Sequence, residues 1–136
     1  MIRQLDDRTL VSGQIRPEEI AGLAAQHGVT MLVNNRPDGE DADQPPAADI
    51  ERAAEQAGIA YRFVPILRGI GPADVEAMEE ALREAGDGKL LAFCRSGTRS
   101  ALALALTMHE AGVAREEIEQ RVTEAGFNVA PIAHLL

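Results

Sequence analysis

Cys94 begins a short segment whose residue types suit the binding of a small anion. The segment is Cys94-Arg95-Ser96-Gly97-Thr98-Arg99-Ser100, and it follows the apolar run Leu90-Leu91-Ala92-Phe93. A glycine at the centre can take a positive φ, so that successive backbone N–H groups turn inward around an anion. A helix beginning near Ser100 adds free N–H groups and the positive end of its dipole. The two arginine side chains add permanent charges that suit an oxyanion.

These groups all favour a thiolate over a thiol at Cys94, and the thiolate is the nucleophilic form of cysteine. The segment therefore predicts that Cys94 and Arg99 are catalytic residues. Arg95, Ser96, Gly97, Thr98 and Ser100 are predicted to bind the substrate. The alternative, an inert buried cysteine at a strand end, does not account for the convergence of these residue types.

The elements around this loop follow from a repeated pattern. Amphipathic, alanine-rich stretches end at a glycine, and each leads into a short apolar run: residues 17–27 before 29–33, 47–57 before 59–64, and 72–85 before 89–93. Glycine suits the left-handed position after a helix, and helix-then-strand repeats are typical of parallel strands with helical crossovers. A weaker strand is predicted over residues 9–11, and two helices close the chain at about 100–111 and 115–125.

The predicted fold class is thus a three-layer α/β structure in one domain spanning residues 1–136. It has a central parallel sheet of four to five strands with helices on both faces. The alternative, an all-helical bundle, is disfavoured by the β-branched and aromatic residues in the apolar runs.

Further polar residues follow the other predicted strands and are expected at the same sheet edge as Cys94. Arg36 and Asp38 are predicted to orient the substrate, or Asp38 to hold Arg95 or Arg99 in place; Glu40 is a further candidate. The alternative is a plain Pro-Asp-Gly turn in the polar loop of residues 37–46. The remaining candidates for this edge are Ser12, Gln14 and Arg68.

Composition excludes several classes of function. The 136 residues carry 22 acidic and 13 basic side chains, a net charge of -9, which disfavours binding to nucleic acid or to an anionic membrane. One cysteine allows neither an intramolecular disulfide nor a cysteine-cluster metal site, and no cofactor is predicted. The first residues have no apolar signal region, so we expect a cytoplasmic location. His27, His109 and His134 are interpreted as structural.

The chain resembles a known family at three segments: Val11-Ser12-Gly13-Gln14, Val33-Asn34-Asn35-Arg36-Pro37-Asp38-Gly39-Glu40, and Phe93-Cys94-Arg95-Ser96-Gly97-Thr98-Arg99-Ser100. Together these are similar to the beta-lactamase-hydrolase-like family, whereas the cysteine loop alone resembles both rhodaneses and protein tyrosine phosphatases. The resemblance implies a bacterial domain of phosphatase-like fold, often described as a sulfur transferase. It also implies a persulfide dioxygenase as a possible partner.

Three departures from the tyrosine phosphatase pattern favour sulfur chemistry. Four residues separate Cys94 from Arg99, as in rhodanese-like loops, whereas phosphatase loops usually have five. Phe93 stands where a phosphatase usually has histidine. Residues 64–69, where a general acid is expected, contain no carboxylate, and Asp74 is the nearest one.

The sequence is therefore predicted to encode a sulfurtransferase. Sulfane sulfur from thiosulfate or a persulfide would form a Cys94 persulfide and pass to an external thiol such as glutathione. Two alternatives stay open. One is a phosphatase of the dual-specificity or tyrosine type, which forms a phosphocysteine at Cys94 and recruits Asp38 or Glu40 as its acid. The other is a domain that only binds an anion or a partner.

Overall fold

A five-stranded sheet with helices on both faces forms the framework of the protein. The computed structural model describes residues 1–136. The elements are β1 (Ile2–Gln4), β2 (Thr9–Ser12), α1 (Pro17–His27), β3 (Val29–Asn34), α2 (Ala47–Gln56), β4 (Ala60–Phe63), α3 (Pro72–Ala85), β5 (Lys89–Phe93), α4 (Thr98–Glu110) and α5 (Arg115–Glu124), followed by a 3-10 helix (Ala130–Leu135). The strand order is β1-β2-β5-β3-β4. The predicted α/β class is confirmed.

The sheet is parallel except at β1, which pairs antiparallel with β2 through Arg3 opposite Val11. The sequence analysis did not predict β1. Its three residues include two exposed polar ones, Arg3 and Gln4, and so give no apolar run. An edge strand needs only one paired side, which is why so short a segment suffices.

Alternation along the strands divides the core between the two faces of the sheet. In β5, Leu90 and Ala92 face a cluster built with α3, α4 and α5, whereas Leu91 and Phe93 face a second cluster built with α1 and α2. Successive side chains on a strand point to opposite faces, so a strand covered on both sides is apolar throughout. This confirms the three-layer arrangement.

Helix α4 is the most deeply buried helix, because every residue from Ser100 to Met108 is buried. It begins at Thr98, two residues earlier than predicted. Gly97 precedes it at φ 95°, a left-handed conformation that lets the chain turn from β5 directly into the helix. No helix in the structure is both long and apolar enough to cross a membrane.

Candidate active site

The loop after β5 holds the Cys94 sulfur inside a turn of backbone. Cys94 is fully buried, and the Gly97 N–H donates to its Sγ at 3.1 Å. The Cys94 N–H donates in turn to the Ser12 carbonyl at 3.4 Å, which fixes the start of the loop to β2. The sulfur thus lies next to a backbone N–H donor and at the N-terminus of a helix, two groups that interact favourably with an anion.

Two glycines allow the backbone around the loop to pack this closely. A Cβ on Gly97 would lie 3.0 Å from the Phe127 ring, in addition to the strain of its positive φ. A Cβ on Gly13 would lie 3.0 Å from the Arg95 carbonyl, and Gln14 N–H donates to that same carbonyl at 3.3 Å. The segment after β2 therefore supports the loop by backbone contact.

Arg99 lies in the first turn of α4 and reaches across the sheet edge. Its Nη1 and Nη2 groups donate to the two carboxylate oxygens of Glu40 at 2.8 and 2.9 Å, and Nη1 also donates to the Ile66 carbonyl at 2.8 Å. The guanidinium has five N–H donors, so this leaves the Nε–H and the second Nη2 hydrogen, which form a fork suited to an oxyanion.

Arg36 is buried beneath this pair with each of its guanidinium nitrogens bonded. Its Nε donates to Glu40 at 2.9 Å, Nη1 to Gln14 Oε1 at 2.9 Å and Nη2 to Asp41 at 2.8 Å. Its side chain is only 4% exposed. The structure therefore places Arg36 behind the site, where it positions Glu40 and Asp41.

The charge of Glu40 is fixed by the two arginines that it bridges. The Arg99 guanidinium, opposed by partial burial and helped by Arg36, lowers the pKa of Glu40 to about 2. The same contact raises the pKa of Arg99 above its ordinary value. Both groups are charged over the whole physiological pH range.

Asp38 contacts neither Arg95 nor Arg99. Its carboxylate accepts the Ala47 N–H at 2.8 Å, which satisfies a free donor at the start of α2. The acidic residue that contacts the loop arginines beside Glu40 is Asp41, whose Oδ2 lies 3.6 Å from Arg95 Nη2. Asp41 was not among the residues predicted from the sequence, because the local turn decides which of several nearby carboxylates faces the site.

Asn35 and Ser100 form a buried link between the strands and α4, and the role of Asn35 was also missed. Ser100 Oγ donates to Asn35 Oδ1 at 2.7 Å, and Asn35 Nδ2 donates to the Val64 carbonyl at 2.9 Å. The Asn35 N–H donates to the Phe93 carbonyl at 2.8 Å. This network joins the ends of β3, β4 and β5 to the first turn of α4. It therefore fixes the position of the Cys94 loop relative to the strand ends.

The remaining candidates lie around the rim. The side chain of Arg95 is 64% exposed, and the Ser96 and Thr98 hydroxyls lie 3.2 Å apart on the surface of the loop. Ser12 is buried, whereas Arg68 is exposed in the segment after β4. A groove of about 570 Å³ between α3 and α4 does not include Cys94. The candidate site is therefore separate from this groove and consists of the loop and the side chains at its rim.

The fold that surrounds the cysteine loop is that of protein tyrosine phosphatase-like domains, as comparison with solved structures shows. A candidate phosphatase of Neisseria meningitidis superposes with a TM-score of 0.84 and 32% identity, over 98% of this chain and 94% of that chain. The PTP-2 phosphatase of Cydia pomonella shares the fold, with a TM-score of 0.68 and 16% identity over 92% and 80% of the two chains.

The chain belongs to the beta-lactamase hydrolase-like family, as its phosphatase-like domain, because the family model matches residues 1–111. A beta-lactamase hydrolase-like protein of Xylella fastidiosa is 34% identical over 130 residues, which cover 94% of this chain and 30% of that protein. The chain thus spans about 30% of the length of the curated relatives that it matches. The predicted family is confirmed.

The prediction of a sulfurtransferase is wrong. The matching family domain is phosphatase-like, and the relative from Neisseria meningitidis is a candidate phosphatase. The four-residue spacing between Cys94 and Arg99 was a poor guide to the reaction. The position of the Arg99 guanidinium is set by α4, Glu40 and Ile66, and not by the number of residues after Cys94. Phe93 packs in the core cluster of α1 and α2, so its type reflects packing and not chemistry.

Proposed function

We propose that this chain is a cysteine-dependent phosphatase that cleaves phosphate monoesters through a phosphocysteine at Cys94. The observation that carries the proposal is the Gly97 N–H on the Cys94 sulfur, at 3.1 Å, at the N-terminus of a buried helix. This arrangement places a nucleophilic sulfur beside a group of N–H donors that can bind a phosphate. The family match to a phosphatase-like domain supports it.

The roles of the other residues follow from their positions. The thiolate attacks phosphorus, the bond to the ester oxygen breaks, and the phosphoryl group is transferred to sulfur. By helix geometry, the first N–H groups of α4, those of Thr98, Arg99 and Ser100, have no partner within the helix. These N–H groups bind the phosphoryl oxygens, and so do the free Nε–H and Nη2–H of Arg99. Both sets of donors stabilise the negative charge of the transition state.

Glu40, Arg36 and Asn35 are positioning residues in this proposal. Glu40 turns the guanidinium of Arg99 so that its remaining fork is free, and Arg36 holds Glu40. Asn35 holds Ser100 and with it the first turn of α4. Asp38 caps α2, and a role for it in substrate binding stays a prediction.

Hydrolysis of 4-nitrophenyl phosphate by the full chain and by Cys94→Ser tests the proposal. We expect phosphate release from the parent chain and its loss in the variant, with circular dichroism showing that the variant is folded. Arg115→Lys is the matched control, since Arg115 lies on the exposed face of α5 and pairs only with Glu119. Unchanged activity in Cys94→Ser, or tungstate binding by the parent chain without phosphate release, would contradict the proposal.

A further inference from the structure

Apart from Asp43, which is exposed on the loop after β3, the carboxylates that follow the strands at this sheet edge accept hydrogen bonds from other groups. Glu40 accepts from Arg99 and Arg36, and Asp41 accepts from Arg36 at 2.8 Å. Cleavage of an alkyl phosphate normally requires an acid that protonates the departing oxygen, because an alkoxide is a poor leaving group. These carboxylates therefore bear directly on which esters the site can cleave.

Glu40 is the carboxylate that contacts the arginine of the proposed phosphate site, and it is held as an anion. Two guanidinium groups contact it within 2.9 Å, and they lower its pKa to about 2. At neutral pH only about one molecule in 10⁵ would carry a proton there. Glu40 fits the task of orienting Arg99 and does not fit the task of donating a proton.

Asp38 and Asp74 are occupied at the starts of two helices. Asp38 accepts the Ala47 N–H at 2.8 Å, and Asp74 accepts the Gly71 N–H at 2.9 Å. Each contact satisfies a backbone donor that would otherwise lack a partner at a helix N-terminus. Movement of either carboxylate to the leaving group would break a cap.

The segment after β4 carries an exposed apolar side chain and no carboxylate. A general acid was expected there from the phosphatase pattern. The Ile66 carbonyl accepts from Arg99, and Leu67 beside it is 77% exposed. Leu67 directly follows the residue that accepts from Arg99, and its exposed side chain gives this segment an apolar surface on which a ring can pack. The segment therefore offers apolar surface and no carboxylate.

On the basis of the proposed function, we propose that this site selects phosphates by the acidity of their leaving group. It cleaves aryl phosphates of acidic phenols and acyl phosphates, and it does not cleave alkyl phosphates.

In the first step the Cys94 Sγ–P bond forms as the P–O bond breaks. The leaving group departs with the electron pair as an unprotonated phenolate or carboxylate. In the second step water attacks phosphorus, the S–P bond breaks, the thiolate returns, and both protons of the water leave with dihydrogen phosphate.

The second step has a kinetic consequence. Water is a weak nucleophile, and the group that removes its proton in such reactions is commonly the acid of the first step acting in reverse. With Glu40 held as part of an ion pair, breakdown of the phosphocysteine is slow relative to its formation from an activated ester. A burst of phenol stoichiometric with enzyme is expected, followed by slower turnover.

A series of aryl phosphates with leaving groups of increasing pKa tests the proposal, with methyl phosphate as the alkyl member. We expect kcat/KM to fall by about 10²-fold or more from 4-nitrophenyl to phenyl phosphate, since a general acid would otherwise contribute about 10²- to 10⁴-fold. Nearly equal kcat/KM values across the series would overturn the proposal while leaving the phosphatase function intact. Failure to cleave any member would instead refute the phosphatase function itself.

Asp38→Asn, Asp43→Asn and Asp74→Asn complete the test, because these carboxylates lie on the segments that follow β3 and β4. We expect the ratio of kcat/KM for 4-nitrophenyl and phenyl phosphate to be the same in the three variants as in the parent chain. A variant that loses activity only toward phenyl phosphate identifies that residue as a general acid, and the proposal is then wrong.

Discussion

At the scale of single residues, Glu40 determines the geometry of the site more than any other side chain outside the loop. It bridges a buried arginine and the arginine of α4, and its side chain is about a quarter exposed. Removing Glu40 leaves the Nε–H of the buried Arg36 unpaired and leaves Arg99 with only the Ile66 carbonyl, which costs more than the loss of a surface ion pair. The site therefore depends on a carboxylate that need not touch the substrate.

The lowered pKa of Glu40 makes its contribution to stability dependent on pH. Because the folded pKa of about 2 lies below the ordinary 4.5, the contribution is complete above pH 4.5 and is lost as the pH falls toward 2. The shift corresponds to roughly 3 kcal/mol, reduced to about 2 kcal/mol by solvent screening. We expect Glu40→Gln to lower the free energy of unfolding by this amount at pH 7, and by less at pH 3.

Urea unfolding at both pH values measures this difference. Glu119→Gln is the matched control, because Glu119 forms an exposed i,i+4 pair with Arg115 and should change stability by less than about 0.5 kcal/mol. A difference between the parent chain and Glu40→Gln that is as large at pH 3 as at pH 7 would refute the assignment of charge.

At the scale of elements, the loop of residues 37–46 links the site to the start of α2. Arg36 holds Glu40 and Asp41 at one end of the loop, and Asp38 accepts the first N–H of α2 at the other. The helix itself begins after Pro46, whose side chain has no oxygen that could accept a hydrogen bond as a cap. The cap on α2 is thus supplied from nine residues away.

Asp38→Ala should therefore lower stability and spare catalysis. We expect a loss of about 0.5–2 kcal/mol in the free energy of unfolding, from the lost cap, with kcat/KM for 4-nitrophenyl phosphate within about twofold of the parent value. Asp38→Asn keeps an acceptor oxygen and should recover most of the stability. If Asp38→Asn is stable but loses activity tenfold or more, Asp38 belongs to the substrate site as the sequence predicted.

At the scale of the whole molecule, one sheet separates two apolar clusters and couples them. Ile20 lies fully buried in the cluster of α1 and α2, and Ile118 lies fully buried in the cluster of α3, α4 and α5. The strands contribute alternate side chains to both clusters, so that neither cluster can be lost without the other. The molecule should unfold in a single cooperative transition.

Ile20→Val and Ile118→Val test this coupling. Each should cost about 0.5–1.5 kcal/mol, and the double variant should show the sum within about 0.5 kcal/mol, because the sites share no neighbours. Thermal unfolding followed by far- and near-ultraviolet circular dichroism should give one midpoint for every variant. Two midpoints in either single variant would show that the layers unfold separately.

The sequence predicted the fold and the position of the Cys94 loop between β5 and α4 because these signals are local. The glycine after each helix and the run from Leu90 to Ser100 define strand, loop and helix without reference to distant residues. The contact between Glu40 and Arg99 joins residues 59 positions apart, and no local pattern specifies such a pair. The sulfur prediction failed for the same reason: it took loop length as a measure of the site, whereas distant contacts orient the arginine.

The strand order also determines the stage of folding at which the site can form. Strands β1 and β2 can pair with each other, and so can β3 and β4, but only β5 joins these two halves. Pairing over such long sequence separations is slow, because the chain loses entropy before it gains contacts. The sheet therefore closes only once Phe93 is in place, and Cys94 is the next residue. Before that closure the Cys94 N–H lacks the Ser12 carbonyl as its acceptor, so the surroundings of Cys94 form only when the two halves of the sheet are joined.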